Sequence, residues 1–210
     1  MEHSSRMAAL LCELRRERNG AAADAMSFRG SACGLNLGVS IPAIRSVASA
    51  FAGGHDFAMH LYKEDVRELR IAALWLADAE CVDESGFDFW ADGIINSEIA
   101  EQAAMSLLAH VKCADALLGR WCAAGELLSY AALMSAARNE NASPEAVLHA
   151  VRTSLESYPD SRLAGHGAVA AVMALFAREP HAARTFVSSL DGDGYAVQHL
   201  RDETSWRMEF

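Results

Sequence analysis

Lysine is almost missing from this chain. Only Lys63 and Lys112 occur, against 16 arginines, and the formal net charge is −10. Affinity for phosphate comes mostly from cationic side chains, so an acidic chain is a poor generic nucleic-acid binder. Net charge does not fix local potential, and a groove lined by arginine is still open to it. No run of about 18 apolar residues occurs, so no membrane span and no membrane partner are expected. Met7 to Cys12 is apolar but too short for the core of a secretory leader, and Arg15, Arg16 and Arg18 follow directly. The expected location is cytoplasmic. Cysteines at 12, 33, 81, 113 and 122 form no CxxC pair, and no Cys/His cluster has zinc-site spacing. They are expected to be buried free thiols in a reducing compartment, with no metal and no cofactor implied. Proline occurs four times, aromatic residues make up 8% and no alternating apolar pattern stands out, which disfavours sheet.

What remains is rich in alanine and helical in period. In Val66 to Asp78, Leu69, Ala72, Ala73 and Leu76 fall at i, i+3, i+4 and i+7, one face of a helix. Arg67, Glu68 and Arg70 are expected on its remaining, solvated surface. The centre of this stretch recurs. The pair Ala72-Ala73 is echoed by Ala103-Ala104, Ala131-Ala132 and Ala170-Ala171, at spacings of 31, 28 and 39 residues, each followed by larger apolar residues. Self-similarity at such intervals marks a helical repeat array, and small side chains let neighbouring helices lie close. The expected fold is all-α, a right-handed α-α superhelix of HEAT/armadillo-like repeats. It occupies 1–190 as one domain, with 191–210 a tail holding at most a short helix.

In chain order, Ser4-Ser5 is read as the cap of a first helix reaching Arg18. A short helix covers 22–28, then the small-residue segment 30–40 is irregular. Ser40-Ile41-Pro42 opens the next helix and Ser143-Pro144-Glu145 a later one, each with serine as cap and proline in the first turn. The second copy of the repeat starts at Ser97 and runs to about Lys112, and the third covers 126–138. The fourth covers 162–178, and Pro180 opens its partner helix.

Three stretches resemble the DNA alkylation repair family, the AlkD-like HEAT-repeat proteins. Leu35 to Ala48 is similar to that family's early "G-V-x-x-P-x-x-R" helix start, with Gly38, Pro42 and Arg45 in place. Glu68-Leu69-Arg70 with Ala73 resembles its "E-x-R-x-x-A" helix, and Ala168 to Arg178 its late "A-I-G-W-x-L-R-E-Y-A-K" helix. The resemblance implies a HEAT-like solenoid that holds duplex DNA on its concave face. It also implies excision of positively charged alkylated purines such as 3-methyladenine, with an Asp beside the glycosidic bond and aromatic side chains against the lesion. A carboxylate suits that chemistry because it stabilises an oxocarbenium-like sugar or positions water. The functional positions depart from the pattern, however. The family's "W-W-D-x-V-D" falls on Glu98 to Ala103, so both Trp are replaced and the Asp becomes Ala103. The late Trp falls on Ala171, the following Arg on Ala174, and a phosphate-binding basic residue on Tyr130.

The candidate catalytic residues are therefore Glu98 and Glu101, whose alternative reading is first-turn acids stabilised by a helix dipole. Candidate nucleic-acid-binding residues are Arg45, Arg70, Arg138 and Arg178, whose alternative is ordinary ion pairing. Trp75, Trp90 and Trp121 are read as core, and Trp206 as a candidate exposed anchor. His166, between Gly165 and Gly167, sits where a pocket is plausible. Asp191-Gly192-Asp193-Gly194 lacks the ligands of a calcium loop and is read as a turn. Two functions follow: a DNA alkylation repair-like protein that binds DNA or damaged bases on its concave face, its glycosylase activity in doubt at the departed motif positions, or a non-catalytic helical scaffold, the chemistry lost, for a protein or small ligand.

Overall fold

The computed structural model describes residues 3–28, 34–51 and 53–208. Among them are thirteen α-helices, three short 3-10 turns and one isolated bridge, with no strand. Contacts divide the chain into two compact units, Met1–Cys81 and Val82–Phe210.

The first unit holds α1 (His3–Arg16), α2 (Gly20–Phe28), α3 (Ile41–Ser49), α4 (Gly54–Tyr62) and α5 (Arg67–Leu76). Helix α5 is the hub, with α3 and α4 packed on it and α1 packed on both. Ser40 caps α3 as expected, its Oγ accepting from Ala43 N at 3.4 Å. Ser4 and Ser5 do not cap α1; they lie inside it.

The charged start of α5 is not a solvated surface. Arg67 and Glu68 are 1% and 0% exposed and pair at 2.8 Å. The cause is the segment 34–40, which folds over the start of the helix. Leu35 N donates to Asp65 O and Arg67 N to Leu35 O, forming a parallel bridge with Val66. The two oxygens of Glu68 accept from Leu37 N (3.1 Å) and Val39 N (3.3 Å), and Arg67 Nη1 donates to Val39 O at 2.9 Å. Buried charges survive only when paired and hydrogen-bonded in this way. Gly38 makes the fold-over possible: its φ is +69°, and a Cβ there would stand 2.1 Å from Asn19 O at the start of α2.

The second unit holds α6 (Phe87–Asp92), α7 (Ser97–Ser106), α8 (Ala114–Trp121), α9 (Glu126–Ala136), α10 (Pro144–Ser157), α11 (Arg162–Arg178), α12 (Pro180–Ser188) and α13 (Tyr195–Ser205). Helices α7, α9, α11 and α13 pack each on the next, while α8 and α10 form a second layer behind α9 and α11. The recurring alanines sit at these contacts: Ala103, Ala104, Ala131, Ala132 and Ala171 are all buried. Asn96, Ser143 and Ser161 cap α7, α10 and α11 through their side chains. The second repeat helix stops short of Lys112. It ends at Ser106, a 3-10 turn follows, and buried Asn139 donates to the orphan carbonyls of Leu108 and Val111 at 2.9 Å each. Residues 195–205 form a full helix on α11, with Ala196 and Leu200 wholly buried.

The cysteines differ from expectation. Cys12 and Cys81 are exposed, Cys113 is half-buried, and Cys122 alone among the described cysteines is buried; Cys33 lies outside the described residues. All four are free thiols. Burial pushes the Cys122 thiol up to about 12, partly offset by a hydrogen bond with Ser129.

Candidate nucleic-acid interface

The two sequence-predicted acids stand at the start of α7. Glu98 and Glu101 are both partly exposed. Glu101 is engaged: Tyr130 Oη donates to its Oε1 at 2.9 Å across the α7–α9 contact. Burial, this hydrogen bond and the carboxylate's charge together raise the Tyr130 ionisation well above the phenolic range, with nearby Arg138 opposing them. Ala103, where the resemblance puts a catalytic Asp, is buried in the helix contact, as is Ala171. No aromatic ring stands at either position.

The arginines separate. In the first unit Arg45 is exposed and lies over the Trp75 ring, 4.4 Å from its centroid. Arg70 is largely out of solvent beside Asp65, at 3.4 Å, and its Nε and Nη1 make no hydrogen bond among the described residues. In the second unit Arg138 and Arg178 are brought together. They both line one hollow of about 170 Å³, whose lining also includes Ala174 and Glu140. Arg178 lies one helical turn beyond Ala174 on α11.

Beside this hollow runs a wider groove of about 470 Å³ between α9, α11 and α13. Buried Tyr130 and half-buried Met134 come from α9, exposed His166 from α11, and His199, Glu203 and Arg207 from α13 and its C-terminal end. The imidazoles of His166 and His199 meet edge to face at 4.8 Å, and the Tyr195 ring stacks on the His199 ring at 5.6 Å. Glu203 and Arg207 pair at 2.7 Å. Gly165 and Gly167 set the groove's width. A Cβ on Gly165 would stand 3.1 Å from His199, and one on Gly167 3.1 Å from Leu133, so α13 and α9 both close on α11 around His166.

Sequence reading isolates His166 by its glycines but passes over His199, Glu203 and Arg207. Their signal is the i+4 spacing of Tyr195, His199, Glu203 and Arg207, a ring-and-charge stripe along one helix face. Trp90 and Trp121 are core, as expected, and Trp206 is 58% exposed with Arg207 over its ring. No group of three or more metal-ligating side chains, and no helix long and apolar enough to cross a membrane, is found among the described residues.

Neither a protein-family model nor a curated protein sequence matches the chain. Among solved structures it is similar to a protein described as belonging to "a new family of proteins related to the HEAT-like repeat DNA glycosylases with affinity for branched DNA structures". The TM-score is 0.70 at 16% identity, over 95% of this chain and 94% of that one. The likeness shows the fold: an all-α array of HEAT-like repeats.

Proposed function

We propose that this chain binds DNA, prefers branched over linear duplex, and excises no base. The observation that carries the reading is the one hollow that both Arg138 and Arg178 line. Two guanidiniums at one small opening suit a phosphodiester, which arginine recognises with paired N–H donors. Exposed Arg45, held over Trp75, is a further phosphate ligand in the first unit; Arg70, drawn in beside Asp65, is not. The likeness to a protein with affinity for branched DNA supports the choice of nucleic acid. The groups at α7 argue against catalysis. Glu101 is committed to Tyr130, and Ala103 carries no carboxylate where the resembled enzymes use one.

The test is an anisotropy titration of a four-way junction and a linear duplex, each over a salt series. The junction is expected to bind more tightly, with affinity falling steeply with salt. Arg138→Ala/Arg178→Ala should weaken both substrates and lower the salt slope by about 2, near one for each phosphate no longer neutralised. Alkylated DNA should release no free base even with protein in molar excess over lesions; release would overturn the non-catalytic part.

The net charge of −10 favours a second reading, a scaffold for a basic protein partner. It predicts no binding to either DNA at low salt.

A further inference from the structure

The phosphate hollow and the wider groove are neighbours in register. Met134 of α9 lines the groove and Arg138, four residues on and just past the helix's end at Ala136, lines the hollow. On α11, Ala170 lines the groove and Ala174 the hollow, again four residues on. The α11 step is one helical turn, about 5.4 Å. A strand whose phosphate sits between Arg138 and Arg178 therefore has the groove within one nucleotide's reach.

The groove's chemistry suits a base better than a second phosphate. Its lining brings together the Tyr130 ring, the Met134 thioether and the imidazoles of His166 and His199. Glu203 offers an acceptor to ring N–H and amino groups, and its partner Arg207 a donor to carbonyls or to the next phosphate. The size, about 470 Å³, falls in the range of small-ligand sites, about 300–1,000 Å³. Fully paired duplex would leave such a groove empty, because its bases are stacked inside the helix.

We infer that the groove between α9, α11 and α13 receives an unpaired nucleotide of the bound DNA, its base against His166, His199 and Met134. This rests on the DNA-binding reading and deepens it, because branch points are where unpaired nucleotides occur. Selectivity for branched DNA then comes from stacking in the groove, and general affinity from the arginines.

The test uses the whole chain and a three-way junction with one unpaired 2-aminopurine at the branch; a second junction carries the same base paired within an arm. Binding should quench the unpaired probe at least two-fold and leave the paired probe unchanged. Exposed His166→Ala should weaken binding to the unpaired junction about five-fold or more, the effect of losing one base-stacking partner, and His166→Phe should restore it by returning a ring. If both junctions bind but the unpaired probe gives no signal, or alanine and phenylalanine behave alike, the groove does not hold a base and DNA binding stands without it. If neither junction binds at low salt, the DNA reading fails and takes this one with it. Free deoxyadenosine monophosphate is the remaining arm. Displacement of the junction by it at comparable affinity would make the groove a site for free nucleotides and overturn the assignment to a strand.

Discussion

Replacing Glu68 should damage the first unit more than any surface change. Its carboxylate is wholly buried and serves three donors: Leu37 N on one oxygen, Val39 N and Arg67 Nη1 on the other. Removing one partner of a buried ion pair costs about 3–5 kcal/mol. Each backbone amide left without its acceptor adds about 1–3 kcal/mol. These terms share one site and do not add fully, so Glu68→Ala should lose at least about 3–5 kcal/mol of the roughly 5–15 kcal/mol typical of a domain. Glu68→Gln separates charge from geometry. A carboxamide has one oxygen, so either Leu37 N or Val39 N must face an NH2 group, and a substantial loss should persist despite the matched shape. Urea unfolding followed by circular dichroism measures both variants. Amide exchange should show the damage centred on 34–40 and α5, with α9 and α11 protected as in the parent. A Glu68→Gln variant within about 0.5 kcal/mol of the parent, the scatter of an ordinary surface change, would refute the claim that both oxygens are needed.

Three other outcomes are expected. Tyr130 ionises well above its ordinary value of 10 in the folded chain, so its protonated form contributes stability that is complete below pH 10 and is lost as pH rises above it; Tyr130→Phe should flatten that alkaline loss in a thermal-melt series. Gly38→Ala should destabilise by about 2 kcal/mol or more, since φ of +69° is left-handed and a Cβ would meet Asn19 O; a denaturation midpoint equal to the parent's would refute it. With a thiol-labelling reagent at neutral pH, exposed Cys12 and Cys81 should react in the native protein, while Cys122, buried and pushed up to about 12, should label only on unfolding, as peptide mapping would show.

The fold is legible in the sequence because its signals are periodic and local. Alanine pairs at repeat spacing, and Ser-x-Pro and Ser-Pro-Glu helix starts, translate directly into α5, α7, α9 and α11 and into the caps of α3 and α10. What escapes depends on tertiary placement. Arg67 and Glu68 read as solvated because nothing near them in sequence shows that 34–40 will fold over them. Arg138 and Arg178 are visible as separate cations, but the hollow they share exists only once α9 and α11 pack. The largest omission is the groove. His199, Glu203 and Arg207 lie in what reads as a polar, glycine-punctuated tail, and the burial of Ala196 and Leu200 that makes it a helix is supplied by α11.

Helix α13 packs chiefly on α11, while α9 and α11 each meet helices on both sides. Cooperativity in nearest-neighbour arrays is carried by interfaces, so a helix held chiefly by one interface opens at a lower free energy than helices held by two. One wall of the groove is thus its most weakly held element, and a ligand that bridges α9 and α13 adds the missing second interface. Occupancy of the groove then registers as slowed amide exchange along 195–205, at residues that need not touch the ligand, and raises the unfolding temperature as ligand concentration climbs above its dissociation constant.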